Sequence, residues 1–136
     1  MEAQTLQSSA EVLLIVDDDP LITDLFRQYM TRRGYVVLTA DSGDAALEIV
    51  TAEADAPRLV ITDMTMPGMN GLELALALAQ SWPALPVLIA TGLDPAATEN
   101  FLPPNVVGFL QKPYQNRLLA DQIRQFLDHP DQPFPK

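Results

Sequence analysis

A chain of 136 residues with 48% hydrophobic and 19% charged side chains is long enough for one compact domain with a buried core, and too apolar for a disordered one. Its formal net charge of −10 argues against the basic surface that a nucleic-acid binder needs, and the lack of cysteine excludes disulfides, thiolate metal sites and cysteine nucleophiles. The single histidine, His129, sits among prolines close to the end, so histidine-centred catalysis or metal binding is not expected. The N-terminus has neither a basic start nor an apolar signal core, and no apolar run is long enough to cross a membrane. A soluble cytoplasmic protein that binds neither nucleic acid nor membrane is therefore expected.

Residues 1–10 are polar and read as a disordered leader, residues 11–128 as one domain, and residues 129–136 as a C-terminal tail. Val12–Val16 is a continuous apolar run, the pattern of a strand buried on both faces. Asp19 suits the cap of a following helix and Pro20 its first turn. Leu21, Ile22, Leu25, Phe26, Tyr29 and Met30 recur at helical spacing until Gly34 stops the helix. Residues 35–40 read as a second strand, and Ser42 as the cap of a helix with Ala45, Ala46, Ile49 and Val50 on its inner face. Residues 58–63 form a third apolar run ending in a carboxylate, and 64–71 a loop rich in proline and glycine. A helix using Leu72, Leu74, Ala75 and Leu78 ends near Trp82-Pro83, and residues 86–91 read as a fourth strand. Residues 94–101 have enough helical character for about two turns before Pro103-Pro104 ends them. Residues 106–112 read as a fifth strand, and Leu118, Leu119, Ile123, Phe126 and Leu127 mark the last helix.

Strands and helices thus alternate about five times, which predicts an α/β fold with a parallel central sheet covered on both faces. Ligands of such folds bind at the carboxyl ends of the strands. Asp17 and Asp18 follow the first strand there, Asp63 ends the third, Thr91 the fourth and Lys112 the fifth. Three carboxylates with oxygen donors alone favour a hard divalent cation, Mg²⁺ first. One carboxylate can then serve as a nucleophile toward phosphorus, with the lysine and the threonine hydroxyl stabilising the transferred group. Taken singly, these residues have ordinary readings: a cap, a turn, a solvated charge. Their joint placement on one sheet edge favours a site.

The stretches "VDDDP", "ITDMTMPGMNG", "IATG" and "GFLQKPY" resemble the receiver domains of two-component response regulators, over about residues 12–127. The resemblance implies a flavodoxin-like (βα)5 fold, doubly wound, with five parallel strands in the order 2-1-3-4-5. It implies that Asp63 accepts a phosphoryl group, from a sensor histidine kinase or a histidine phosphotransfer protein, in a Mg²⁺-dependent reaction. By the same resemblance Asp18 binds the metal directly and Asp17 through water, with Asp63 and the Thr65 carbonyl completing the set. Met64 and Gly92 would offer backbone N–H groups to the phosphate. Thr91 and Lys112 would contact it through their side chains, Thr91 and Phe109 would form the switch, and the Lys112–Pro113 bond would be cis.

Such a domain is a switch rather than an enzyme, with at most self-catalysed phosphorylation and dephosphorylation. Its output would be an unnamed protein partner, or a homodimer formed on phosphorylation. Gly92 stands where the family more often has alanine, and Phe109 lacks a tyrosine hydroxyl, so any switch there is steric. Two other readings differ in function: a receiver-like docking module that never carries phosphate, and an aspartyl-phosphate phosphohydrolase. The phosphohydrolase signature needs Thr or Val at position 21, which here is Leu21.

Overall fold

The computed structural model describes residues 10–52, 57–93 and 102–135. The chain runs β1 (Val12–Val16), α1 (Pro20–Arg32), β2 (Val36–Ala40), α2 (Gly43–Ala52), β3 (Leu59–Asp63), α3 (Gly71–Ser81), β4 (Val87–Thr91), β5 (Val106–Gln111) and α4 (Asn116–Asp128). The five strands are all parallel and lie in the order β2-β1-β3-β4-β5. This is the doubly wound flavodoxin-like sheet that the resemblance implied. The expected leader falls almost wholly outside the described residues, and the expected short helix at 94–101 lies outside them. Among the described residues, no helix is long and apolar enough to cross a membrane.

Alternation along the strands builds two cores. Leu13 and Ile15 of β1, Leu59 and Ile61 of β3, and Leu88 of β4 face α1 and α4, meeting Phe26, Met30, Leu119 and Ile123. Leu14, Val16, Val60, Val87 and Ile89 face the opposite way onto α2 and α3, meeting Ala46, Val50, Leu74 and Leu78. Strands β3 and β4 are buried along their whole length, which is why their sequences are apolar up to the polar residues at their carboxyl ends. Burying one such Leu or Ile contributes about 1.5–3 kcal/mol.

The helix ends follow from local chemistry. Asp19 accepts the Leu21 N–H at 3.0 Å and caps α1. Gly34 takes φ 98°, which lets the Tyr35 N–H return to the Met30 carbonyl at 3.2 Å and close the helix. The Ser42 hydroxyl accepts the Ala45 N–H at 3.1 Å. Asn70 and Glu73 form a reciprocal capping box at the start of α3.

Two features of the surface go beyond the sequence reading. Leu21, Leu25 and Leu118, counted among the apolar positions of their helices, are 62%, 49% and 57% exposed. A helix lying on a sheet buries only a stripe about 100° wide, and these three fall beside it. The residues after Asp128 fold back: Phe134 is buried with its ring 5.5 Å from that of Phe126, and Gln122 donates to the Pro135 carbonyl at 3.2 Å.

Candidate functional site at the carboxyl edge of the sheet

Parallel strands in register bring their carboxyl ends to one edge. Asp17 follows β1, and its N–H extends the ladder to the Ala40 carbonyl at 3.1 Å. Asp63 is the last residue of β3 and pairs with Ala90 of β4. Thr91 ends β4 opposite Gln111, and its carbonyl takes the Lys112 N–H at 2.7 Å, so the strand register sets Lys112 one residue beyond the partner of Thr91.

One carboxylate oxygen each from Asp17, Asp18 and Asp63 can be chosen so that all three lie within 4.8 Å of one another. Asp17 and Asp63 are buried, whereas Asp18 is exposed. The Lys112 Nζ reaches between the two buried acids, 3.2 Å from Asp63 Oδ1 and 3.5 Å from Asp17 Oδ2. Asp17 Oδ1 accepts the Asp19 N–H at 3.0 Å, so the cap of α1 also orients this carboxylate.

Burial pushes the Asp17 carboxyl above its ordinary value; the Asp19 hydrogen bond and the Lys112 charge oppose this, and the charges of Asp63 and Asp18 add to it. Burial by itself would lower the Lys112 ammonium, but the Asp63 hydrogen bond and the Asp17 charge outweigh it and leave the value raised. Lys112 is therefore held as a cation. Three carboxylates against one ammonium leave excess negative charge in a half-enclosed site. Clustered oxygen donors of that kind fit a hard divalent cation.

The other expected site residues are placed as follows. Thr91 is buried at the end of β4, and its Oγ1 accepts the Leu93 N–H at 3.1 Å. Gly92 and Thr65 are exposed in the loops that follow β4 and β3. Phe109 is half-buried against the α2–α3 core. The Lys112–Pro113 bond is cis, as expected. The Met64 N–H donates to the Ala90 carbonyl at 2.8 Å and so continues the β3–β4 ladder.

Two residues near the site carried no role in the sequence reading. Tyr114, directly after the cis proline, lines a cleft of about 430 Å³ with Ile22, Leu25, Lys112, Pro113 and Asn116. Burial, then the charges of Asp17 and Asp63, push its phenol up to about 12, so it stays neutral. Its signal was the aromatic after Lys-Pro. Gly71 lies so close to the acceptor strand that a Cβ there would sit 2.7 Å from the Asp63 carbonyl oxygen. Spacing alone gave no hint of that approach.

Comparison with known proteins agrees with this geometry. The profile of the response regulator receiver domain matches residues 13–124. The chain is 33% identical over 131 residues to the sensor kinase CckA of Brucella abortus, covering 96% of this chain and 14% of that protein. It is 33% identical over 118 residues to the C4-dicarboxylate transport transcriptional regulatory protein DctD of Pseudomonas aeruginosa, covering 85% of this chain and 25% of that protein. A CheY-like response regulator receiver domain protein from Methanospirillum hungatei superposes with a TM-score of 0.81 at 28% identity, covering 90% of this chain and 98% of that one. This chain belongs to the response regulator receiver domain family.

Proposed function

We propose that this domain accepts a phosphoryl group on Asp63 from a phosphohistidine of a sensor kinase or phosphotransfer protein. The observation that carries the reading is the clustering of the Asp17, Asp18 and Asp63 carboxylates within 4.8 Å, with the Lys112 Nζ 3.2 Å from Asp63. A carboxylate oxygen of Asp63 forms the new bond to phosphorus while the bond from phosphorus to the donor imidazole nitrogen breaks. The electron pair of the broken bond stays with the imidazole, which takes up a proton. Lys112 neutralises charge on the phosphoryl oxygens, and the Thr91 hydroxyl and the Gly92 N–H donate to them. Asp17, Asp18, Asp63 and the Thr65 carbonyl are the residues that would hold Mg²⁺, which supplies further charge neutralisation for the phosphoryl oxygens.

The donor needs a place to dock. Leu21 and Leu25 of α1 and Leu118 of α4 are exposed, and Leu25 also lines the cleft beside Lys112. Exposed apolar side chains next to a reactive group support contact with a partner protein. One relative is named a sensor kinase and another a transcriptional regulatory protein, which supports a role in relaying a signal. On this reading the chain is a cytoplasmic switch, not a classical enzyme. Thr91 and Phe109 carry the change of state to a surface used by an output protein or by a second copy.

Incubation with acetyl phosphate tests the reading by intact mass. One phosphoryl group should be added when Mg²⁺ is present, none after chelation, and none in Asp63→Asn. Labelling that persists undiminished in Asp63→Asn refutes it.

A further inference from the structure

Helix α2 begins with Gly43, although glycine is among the weakest helix formers. No left-handed backbone angle requires glycine there; the space does. A Cβ at position 43 would lie 2.7 Å from the Met69 Sδ, 2.9 Å from its Cβ and 3.1 Å from its Cγ. The sulfur could swing aside, but the Met69 Cβ is fixed to its backbone, so the loop itself would have to move. That loop, residues 64–70, leads from Asp63 into α3. Its far end is gripped as well: the Gly71 N–H donates to the Met64 carbonyl at 2.8 Å, and Gly71 packs against the Asp63 carbonyl. One closure is made within the loop's own segment, and the other is supplied by a separate element.

We propose that Gly43 is a positioning residue for phosphoryl transfer: by receiving Met69 against its bare Cα, it fixes the loop that carries Met64 and Thr65 beside Asp63. This rests on the reading of Asp63 as the acceptor. Reacting groups tolerate little misplacement, and an error of about 1 Å is enough to cost a large factor in rate. Gly43 touches neither acceptor nor phosphate, so its effect passes through Met69.

The test compares wild type, Gly43→Ala and Gly43→Ala/Met69→Gly, each verified as folded by circular dichroism. The readouts are the initial rate of labelling by acetyl phosphate in saturating Mg²⁺ and hydrogen exchange of the Gly71 amide. Gly43→Ala should slow labelling about tenfold and speed exchange at Gly71. The double variant removes the clash but also the Met69 contact that holds the loop, so it should recover only part of both. A wild-type rate in Gly43→Ala, or a double variant no faster than the single one, overturns the proposal. Should Gly43→Ala not fold, Met69→Ala removes the Cγ and Sδ contacts without adding bulk. It should label more slowly than wild type, and an unchanged rate overturns the proposal. A wild-type protein that takes no label at all would instead refute the acceptor reading, a separate failure.

Discussion

Replacing Lys112 by methionine removes a charge while keeping a similar stem. In the wild type the Nζ lies 3.2 Å from Asp63 and 3.5 Å from Asp17, both buried. At an effective dielectric of about 20, each contact is worth about 5 kcal/mol of gross attraction. Desolvation of the three groups cancels most of this, and Lys112 is itself partly exposed. A net loss of about 1–3 kcal/mol is expected in metal-free buffer, because two neighbouring buried carboxylates lose their common partner. With a urea slope of about 1–3 kcal/mol per M, the midpoint should fall by about 1 M. Trp82, the only tryptophan, packs on the α2–α3 core and reports unfolding by fluorescence. In saturating Mg²⁺ the deficit should narrow, since positive charge is restored beside the same acids. A Lys112→Met protein as stable as wild type without metal, or an equal deficit in both buffers, would refute the ionic account of this site.

Three further outcomes follow from the same geometry. Millimolar Mg²⁺ should raise the melting temperature of the wild type, by about 2.7 kcal/mol of stability at a hundredfold excess over Kd, and Asp18→Ala should lose most of that gain; an equal gain in the variant would exclude Asp18 as a ligand. Asp17 titrates above its ordinary value of 3.8 in the fold, so its contribution is fully present below pH 3.8 and is lost as pH rises through the folded value, while that of Lys112 persists to above 10.5. In chelator, the stability of wild type relative to Asp17→Asn should therefore decline as pH rises above about 4, and a flat or rising difference in thermal melts would contradict it. Phe134→Ala should cost about 3 kcal/mol in urea melts by opening a void against Phe126, whereas an unchanged midpoint would mean that the C-terminal segment carries no packing energy.

The sheet was legible because both of its faces are covered. Strands such as β3 and β4 then have to be largely apolar, and polar residues close each run at the carboxyl edge: Asp17, Asp63 and Thr91 all appear there. Features that depend on register or on distant pairs were not legible. The Met64 N–H is taken up because Asp63 pairs with Ala90, which moves the next N–H onto the Ala90 carbonyl; strand length alone does not disclose that. The helical periods of α1 and α4 identify apolar positions but not the width of the buried stripe, so they do not show that Leu21, Leu25 and Leu118 fall outside it. The return of Phe134 to the core, and the seating of Met69 on Gly43, join residues with no shared local pattern. In each case the sequence supplies the partner, and only packing shows the contact.

The central claim is that the acidic cluster and Lys112 make one carboxylate a nucleophile toward phosphorus, and that this carboxylate is Asp63. Borohydride reduction of the acyl phosphate, after brief exposure to acetyl phosphate and Mg²⁺, followed by peptide mass mapping, tests it most directly. The account predicts conversion to homoserine at position 63 alone. Conversion at Asp17 or Asp18, or labelled protein with an intact aspartate at position 63, would contradict it.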